Sequence, residues 1–207
     1  MNIKLIWITP DAEKHVAYCA RVSSPHQDNP EYDKLIAYLI KNKHWSPLEM
    51  ASMCVEITTS RAISAQILRH RSFSFQEFSQ RYATATEFET YEARSQDLKN
   101  RQNSIDNMSD EDKKWFKFAQ GWIQDECISK YKQALERGIA KEQARFLLPL
   151  STQTKLYMSG TLRSWAHYLE LRTSNGTQLE HAEIAKEIQT IFIKELPIIS
   201  KALDFSL

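Results

Sequence analysis

The chain has 207 residues, and its 27 lysines and arginines stand against 26 aspartates and glutamates, a net charge of +1. This length suits one domain with a sizeable core. The charge balance argues against a protein that grips nucleic acid through a basic surface. No apolar run is as long as a membrane span, and the first ten residues lack a signal-peptide pattern.

The three cysteines, Cys19, Cys54 and Cys127, are far apart and have no CxxC spacing. This pattern predicts reduced thiols in a cytoplasmic protein, without a disulfide or a metal framework.

The first third of the chain alternates strands and short helices. Residues 2–9 predict a strand that Pro10 ends, residues 11–24 a helix capped by Asp11, and a second helix is expected from Asn29-Pro30. Residues 44–50, HWSPLEM, predict a loop, and residues 50–60 alternate as a second strand. Residues 61–70 predict a helix with Gln66, Arg69 and His70 on one face.

The rest of the chain is predicted to be mostly helical. Residues 92–112 form a polar interval that predicts a mobile loop, and Ser109 with Asp112 predicts a capping box for a long helix ending near Gly138. The apolar stripe of this helix is expected to be buried; it consists of Trp115, Phe118, Trp122, Ile128, Tyr131 and Leu135.

A strand is expected after Pro149, followed by a helix over residues 161–172. After a turn at Asn175-Gly176, a last helix is expected to run to Pro197. Its inward residues are predicted to be Leu179, Ala182, Ala185, Ile188 and Phe192. Together these elements predict an α+β fold, a single helix-rich domain over residues 1–207 with a small central sheet.

Glycine is scarce, with four residues in the whole chain. This excludes a GxGxxG dinucleotide fingerprint and a GxxxxGK[ST] phosphate loop. Bound phosphates would therefore be held mainly by arginine side chains, which make forked, charge-assisted hydrogen bonds.

Residues 69–82, RHRSFSFQEFSQRY, concentrate basic and aromatic side chains. Arg69, His70, Arg71 and Arg81 would repel one another unless anions lie among them, and Glu77 can balance one charge. The segment therefore predicts an anion site, with bound phosphate among the arginines and the aromatic rings packed around it. A single-stranded nucleic-acid module built from arginines and stacked aromatics is the alternative, although the near-neutral charge and Glu77 argue against it.

This segment resembles the signature RHRxxSxNExSxRY of the flavin-dependent thymidylate synthases, and Gln76 is its only departure at a fixed position. Similarity to the family extends to most of the chain outside the polar interval. It includes ARVSS, HWSPLEM, ARFLLPLSTQTKLYMSGTLRSWAHYLELR and QLEHAEIA. A degenerate relative that binds nucleotide without turnover is a weaker possibility.

The resemblance implies an α+β homotetramer with shared active sites. Such an enzyme makes dTMP from dUMP, with methylenetetrahydrofolate as carbon donor and NADPH as reductant of bound FAD. Neither a metal, a nucleic acid nor a membrane is expected as a partner. The implied FAD contacts are Ser46, Arg69, His70, Arg71, Glu77, Thr161, Leu162, Arg163 and His167. Thr161 departs from the Asn that is common in the family, and His167 stands where Asn or His occurs.

The resemblance also implies a set of dUMP contacts, and one of them, Arg172, is expected to face the uracil as the catalytic residue. The implied contacts are Gln66, Ile67, Leu68, Arg69, Glu77, Phe78, Ser79, Gln80, Arg81, Arg145 and Arg172. Ser79 invites a nucleophile interpretation, but a serine hydroxyl needs a positioned base. We expect Ser79 to hold dUMP at its phosphate end.

Overall fold

The computed structural model describes residues 1–174 and 176–206. Within them the chain forms six strands: β1 (Asn2–Ile8), β2 (Ser52–Ser60), β3 (Ser74–Glu77), β4 (Ser95–Gln96), β5 (Ser104–Ile105) and β6 (Gln153–Thr161). It also forms eight α-helices: α1 (Ala12–Ala20), α2 (Asp33–Lys41), α3 (Arg61–Ile67), α4 (Asp110–Glu136), α5 (Lys141–Ala144), α6 (Leu162–Arg172), α7 (Leu179–Glu195) and α8 (Pro197–Ala202). The predicted helix-rich α+β fold with a small central sheet is confirmed.

The central sheet is antiparallel, with the strand order β1-β2-β6-β3. β2 and β6 pair over their whole length, from Ser52 opposite Thr161 to Ser60 opposite Gln153. The short strand β3 lies on the far side of β6, with Ser74 opposite Ser159. The basic and aromatic segment is thereby pinned to one edge of the sheet.

Alternate residues of the two central strands build the core, as their spacing predicts. Met53, Val55 and Ile57 of β2 are buried, and so are Leu156 and Met158 of β6. Helices α6 and α7 pack on each other. Helix α6 also contacts β6, and helix α7 contacts β1.

The first helix begins where the sequence predicts but without its predicted cap, and the second helix begins later than predicted. Asp11 precedes α1, but its backbone is left-handed (φ 48°) and its side chain makes no capping hydrogen bond. The second helix begins at Asp33, not at Pro30. Arg21 donates to the backbone carbonyl of Asn29, which keeps this stretch outside the helix.

The segment predicted as a loop at residues 44–50 contains a 3-10 helix, Ser46–Met50, whose Pro47 suits a first helical turn. α3 ends at Ile67, and the N–H of His70 then closes a turn on the Ile67 carbonyl. Arg69 and His70 therefore do not share a helical face with Gln66, and that prediction is wrong.

The polar interval is more ordered than its composition predicts, because β4 and β5 pair there as a two-stranded hairpin. The Asp97 carboxylate accepts hydrogen bonds from the N–H groups of Lys99 and Asn100 within the hairpin loop. The Ser109 cap is confirmed, since its hydroxyl accepts from the Asp112 N–H at 3.1 Å.

The aromatic stripe of α4 contradicts the prediction. Trp115, Phe118 and Trp122 are 66%, 73% and 65% exposed, whereas Tyr131 is fully buried. Polar side chains attach this end of α4 instead: Gln120 donates to the Tyr91 carbonyl at 2.7 Å. Periodicity identified the stripe correctly, but its first half, Trp115 to Trp122, does not face the body of its own chain, whereas Ile128, Tyr131 and Leu135 pack in a small core cluster.

The end of the chain also differs in detail. Leu179 is exposed, while Ala182, Ala185, Ile188 and Phe192 face inward as predicted. α7 ends at Glu195, close to Pro197 as predicted, and Pro197 begins the short helix α8. Asn175 lies outside the described residues, and Gly176 has the left-handed backbone of a turn (φ 98°). No helix in residues 1–174 and 176–206 has the length and apolar character needed to cross a membrane.

Phe73 fastens the basic segment to the core through Gly160. A Cβ added at Gly160 would lie 2.5 Å from the Phe73 Cδ1 atom. The Phe73 ring also packs edge-on against Trp165, with centroids 4.7 Å apart. Gly160 is therefore required by close packing, not by an unusual backbone angle.

We expect Gly160→Ala to lower the free energy of unfolding by about 1–3 kcal/mol, because the new methyl group forces the Phe73 ring to move. Urea unfolding at fixed protein concentration measures this change. Gly121→Ala is the matched control, since its Cβ would meet nothing within 4 Å and it lies inside α4. A Gly160→Ala protein as stable as the wild type would show that the contact is unimportant.

Candidate functional site

The basic segment divides into a turn, the strand β3 and a second turn. Arg69 and Arg71 are exposed in the first turn. In the second turn, the Ser79 carbonyl accepts from the N–H of Tyr82 at 3.1 Å. The backbone thus presents the basic side chains on both sides of an edge strand.

The aromatic rings of the segment do not surround the arginines as predicted. Phe73 is 9% exposed and belongs to the core, and Phe75 is partly buried against it. Tyr82 is 76% exposed. Phe73 and Phe75 anchor the segment because these alternate side chains face the sheet interior, so they are not available as stacking surfaces.

Glu77 is held by a cluster that the sequence did not predict. Its Oε1 accepts from the hydroxyls of Ser64 at 2.6 Å and Thr154 at 3.0 Å. Its Oε2 pairs with Arg61 Nη1 at 3.1 Å, and Arg61 Nη2 donates to the Phe78 carbonyl at 2.8 Å. Glu77 therefore balances Arg61, and not an arginine of its own segment.

Ser79, Arg81 and Arg145 lie around Glu142. Arg81 Nε pairs with Glu142 Oε2 at 3.3 Å, and Arg145 Nε donates to the Glu142 carbonyl at 3.2 Å. The Ser79 hydroxyl accepts from the Arg81 N–H at 3.4 Å. We call Ser79, Gln80, Arg81 and Arg145 the Arg81 group. It joins two guanidinium groups and a hydroxyl, which suits a dianionic phosphate.

Arg172 closes α6 and meets His70 from the first turn. Arg172 Nε donates to His70 Nε2 at 2.9 Å. Burial, the positive charge of Arg172 and the nearby His167 together lower the pKa of His70 to about 4, and burial has the largest effect. His70 is therefore neutral near pH 7 and can act as the acceptor. We call this pair the His70 group.

A third set of predicted residues lies at the start of α6. The Thr161 hydroxyl caps the helix by accepting from the Ser164 N–H at 3.3 Å. Arg163 pairs with Glu49 of the 3-10 helix that Ser46 begins. A cavity of about 480 Å³ is formed here by Trp45, Glu49, Ser72, Arg163, Ser164, Ala166, His167 and Glu170. We call Ser46, Thr161, Leu162, Arg163 and His167 the helix-start group.

Arg163 of the helix-start group and Arg172 of the His70 group lie at opposite ends of α6, whereas His167 lies between them and is close enough to His70 to lower its pKa. Nine residues separate Arg163 from Arg172, which is about 14 Å along a helix. One chain therefore spreads the predicted flavin and dUMP contacts over three places. Of the remaining predicted contacts, the Ile67 side chain is fully buried in the core, and Gln80 is 8% exposed. Contact with a ligand at Ile67 would have to use its backbone.

A polar chain next to the predicted dUMP contacts was missed by the sequence analysis. Gln66 Nε2 donates to Gln178 Oε1 at 2.6 Å, and Gln178 Nε2 donates to Glu180 Oε2 at 2.9 Å. Glu180 pairs with Arg94 of the polar interval, and both side chains are largely buried. Arg94 is 86 residues from its partner, so no local pattern signals the pair.

The scaffold is α+β without a glycine-rich loop, so arginine side chains, and not a phosphate loop, are the donors available for anions in this class of protein. The family described as thymidylate synthase complementing protein matches residues 4–198 of this chain. The chain therefore belongs to this family, the flavin-dependent thymidylate synthases.

Two relatives show how far the similarity reaches. The flavin-dependent thymidylate synthase of Synechocystis sp. is 56% identical over 190 residues, which cover 92% of this chain and 88% of the relative. The probable flavin-dependent thymidylate synthase of Paramecium bursaria Chlorella virus 1 is 52% identical over 215 residues, with 99% and 100% covered.

A solved structure of similar fold is the UMP/dUMP methylase PolB from Streptomyces cacaoi bound with 5-Br dUMP. Its TM-score is 0.88 at 26% identity, with 98% of this chain and 94% of that chain covered. The alternative of a single-stranded nucleic-acid module is not favoured by these relationships.

Arg61→Lys should lower the free energy of unfolding by about 1–3 kcal/mol, because one ammonium group cannot serve both the Glu77 carboxylate and the Phe78 carbonyl. Chemical unfolding at pH 7 measures the loss. Lys155→Arg, at an exposed ion pair with Glu56, is the control and should change little. If Arg61→Lys leaves the free energy of unfolding unchanged, then Arg61 does not stabilise this segment.

Proposed function

We propose that this protein is a flavin-dependent thymidylate synthase that converts dUMP to dTMP. It takes the carbon unit from 5,10-methylenetetrahydrofolate and uses NADPH as reductant of bound FAD, in the cytoplasm, for dTTP synthesis. The observation that carries the proposal is the Arg172 guanidinium, which is oriented by a neutral imidazole and keeps its charge for a ligand. The names of the two relatives support the same activity.

The Arg81 group supports binding of the dUMP phosphate. Arg81 and Arg145 approach the same residue, Glu142, from two segments far apart in the chain. A phosphate dianion can replace Glu142 as the partner of Arg81, because that ion pair is exposed and therefore weak. Ser79 adds a hydroxyl at the same end.

The surroundings of Ser79 argue against a role as nucleophile. The nearest carboxylate along the segment, Glu77, is occupied by Arg61, Ser64 and Thr154. A carboxylate in this state is a poor acceptor for the Ser79 proton. Ser79 is therefore assigned to holding dUMP.

Arg172 supplies electrostatic stabilisation. Negative charge that develops on the pyrimidine is stabilised most strongly by a donor that is already oriented and partly removed from water. The Nε contact with His70 fixes the plane of the Arg172 guanidinium, and its two Nη atoms have no partner among the described residues.

The hydrogen-bond donors of the helix-start group are of the type that binds an anionic cofactor such as FAD. Arg163 and His167 offer donors at the 480 Å³ cavity, and Ser72 brings the exposed Arg71 next to it. Glu49 must release Arg163 for an anion to bind there, which an exposed ion pair allows. FAD supplies the hydride chemistry that no side chain offers. Arg69, His70 and Glu77 are the further residues assigned to its contacts.

A homotetramer with shared active sites is supported by two features. The three groups are dispersed in one chain, as described above. The α4 stripe of Trp115, Phe118 and Trp122 exposes large apolar side chains, which is typical of a surface that another chain covers.

Purified protein should be yellow and should form dTMP from dUMP, because the chain belongs to the flavin-dependent family over most of its length. Chromatography of the reaction mixture measures dTMP, and reactions without folate or without NADPH are the controls. A colourless, fully assembled protein that binds dUMP but makes no dTMP would point to a degenerate relative.

Arg172→Lys should reduce the rate of dTMP formation by about 10²-fold or more, since lysine lacks the planar fork that can contact His70 and the pyrimidine together. Steady-state rates per bound flavin measure the loss, and flavin content should change little. Near-normal turnover would remove Arg172 from the active site.

Trp122→Glu should shift the protein to smaller assemblies and lower its flavin content, because a buried carboxylate in an apolar interface is costly. Light scattering coupled to flavin absorbance measures both quantities. Gln133→Glu, an exposed position on the same helix with the same change in charge, is the control. If Trp122→Glu keeps the assembly size and the flavin content of the wild type, the interface lies elsewhere.

A further inference from the structure

Arg172 is held differently from the other paired arginines. Arg61, Arg94 and Arg163 each pair with a carboxylate. Arg172 instead donates to an imidazole nitrogen, and within the described part of the chain it has no carboxylate partner. A neutral acceptor fixes the direction of a guanidinium group without cancelling its charge.

This arrangement requires His70 in one protonation state. Its Nε2 can accept from Arg172 only when it carries no proton, so the single ring proton must be on Nδ1. Protonation of His70 would place two cations in contact. Anything that keeps water away from His70 therefore protects the orientation of Arg172.

Tyr168 provides this shielding. It lies one helical turn before Arg172 on the same face of α6 and is fully buried. Its ring meets His70 edge-on, with centroids 4.8 Å apart at 81°. The ring therefore covers one side of the imidazole.

His181 of α7 holds Tyr168 from behind. His181 Nε2 lies 3.0 Å from the Tyr168 hydroxyl, and the His181 ring is fully buried with its centroid 6.1 Å from His70. His181 Nδ1 is buried without a hydrogen-bond partner among the described residues. The contact of Nε2 with the Tyr168 hydroxyl is therefore the polar interaction through which this buried ring is held.

We propose that Tyr168, held by His181, is a positioning residue for Arg172: its ring shields His70, which then stays the neutral acceptor that orients the guanidinium. The groups that face His70 are Arg172, His167 and Tyr168 from α6 and His181 from α7. The consequence for dTMP formation rests on the proposed function, whereas the state of His70 does not.

Nuclear magnetic resonance of flavin-loaded protein with isotope-labelled histidine tests the assignment. The His70 signal, identified by its loss in His70→Gln, should show a proton on Nδ1 and should stay neutral down to about pH 5, below the ordinary histidine pKa of 6.5. Tyr168→Leu should move the titration up by about one pH unit or more, toward the ordinary value. Tyr168→Phe keeps the ring and should leave the titration low.

The rate of dTMP formation is the second readout. Tyr168→Leu should lose activity at a higher pH on the acid side than the wild type, with dUMP saturating. A merely structural role would lower the melting temperature and leave the acid limb of the loaded enzyme in place.

The assignment is overturned by a wild-type His70 that carries its proton on Nε2 or titrates near 6.5, whether or not Tyr168→Leu folds. An unchanged His70 titration in folded Tyr168→Leu overturns it as well. Wild-type protein with the expected His70 state but no dTMP formation would count against the proposed function alone.

Discussion

The contact between the Phe73 ring and Gly160 fixes the basic segment to the core, and the arrangement of the charged side chains depends on it. Phe73 lies between the turn that carries Arg71 and the edge strand β3. Its ring sits against Gly160, the second-to-last residue of strand β6, close to the start of α6. The same contact therefore sets the distance between the first turn of the segment and both ends of that helix.

Charge pairing then decides which arginines are available to ligands. Arg61 and Arg94 are committed to partly buried carboxylates, and they stabilise the backbone around the site. Arg81 and Arg163 have exposed carboxylate partners that an anion can displace. Within the described part of the chain, the partner of Arg172 is the neutral imidazole of His70. This gradation separates structural arginines from ligand-binding arginines in a chain with nearly balanced charge.

The sequence predicted the elements whose side chains meet the core of the same chain. β1 and β2 were evident from alternation, because one face of each strand packs on the core, and β6 was expected after Pro149. β3 was missed, since a four-residue edge strand has too little alternation to stand out and its Phe75 was expected to face a ligand. The α4 stripe was recognised, but periodicity cannot tell whether its own chain or another covers it.

Site residues divide in the same way. Residues within the signature, such as Arg69 and Ser79, could be predicted from resemblance, and their roles remain predictions. Arg61 and Glu180 could not be found from sequence, because their partners lie 16 and 86 residues away and only the fold joins them. The exposure of Trp122 follows from polar anchors on another face of α4, which no propensity encodes.

The central claim is that one chain holds the site in separate groups and that neighbouring chains complete it. Mixing two variants tests this most directly: Arg81→Ala, from the Arg81 group, and Arg163→Glu, from the helix-start group. If the two residues serve a site from different chains, mixed assemblies contain some sites with neither change. We predict that each variant alone forms little dTMP and that dissociation, mixing and reassembly restore activity. Mixed assemblies that stay as inactive as the separate variants would contradict the shared site.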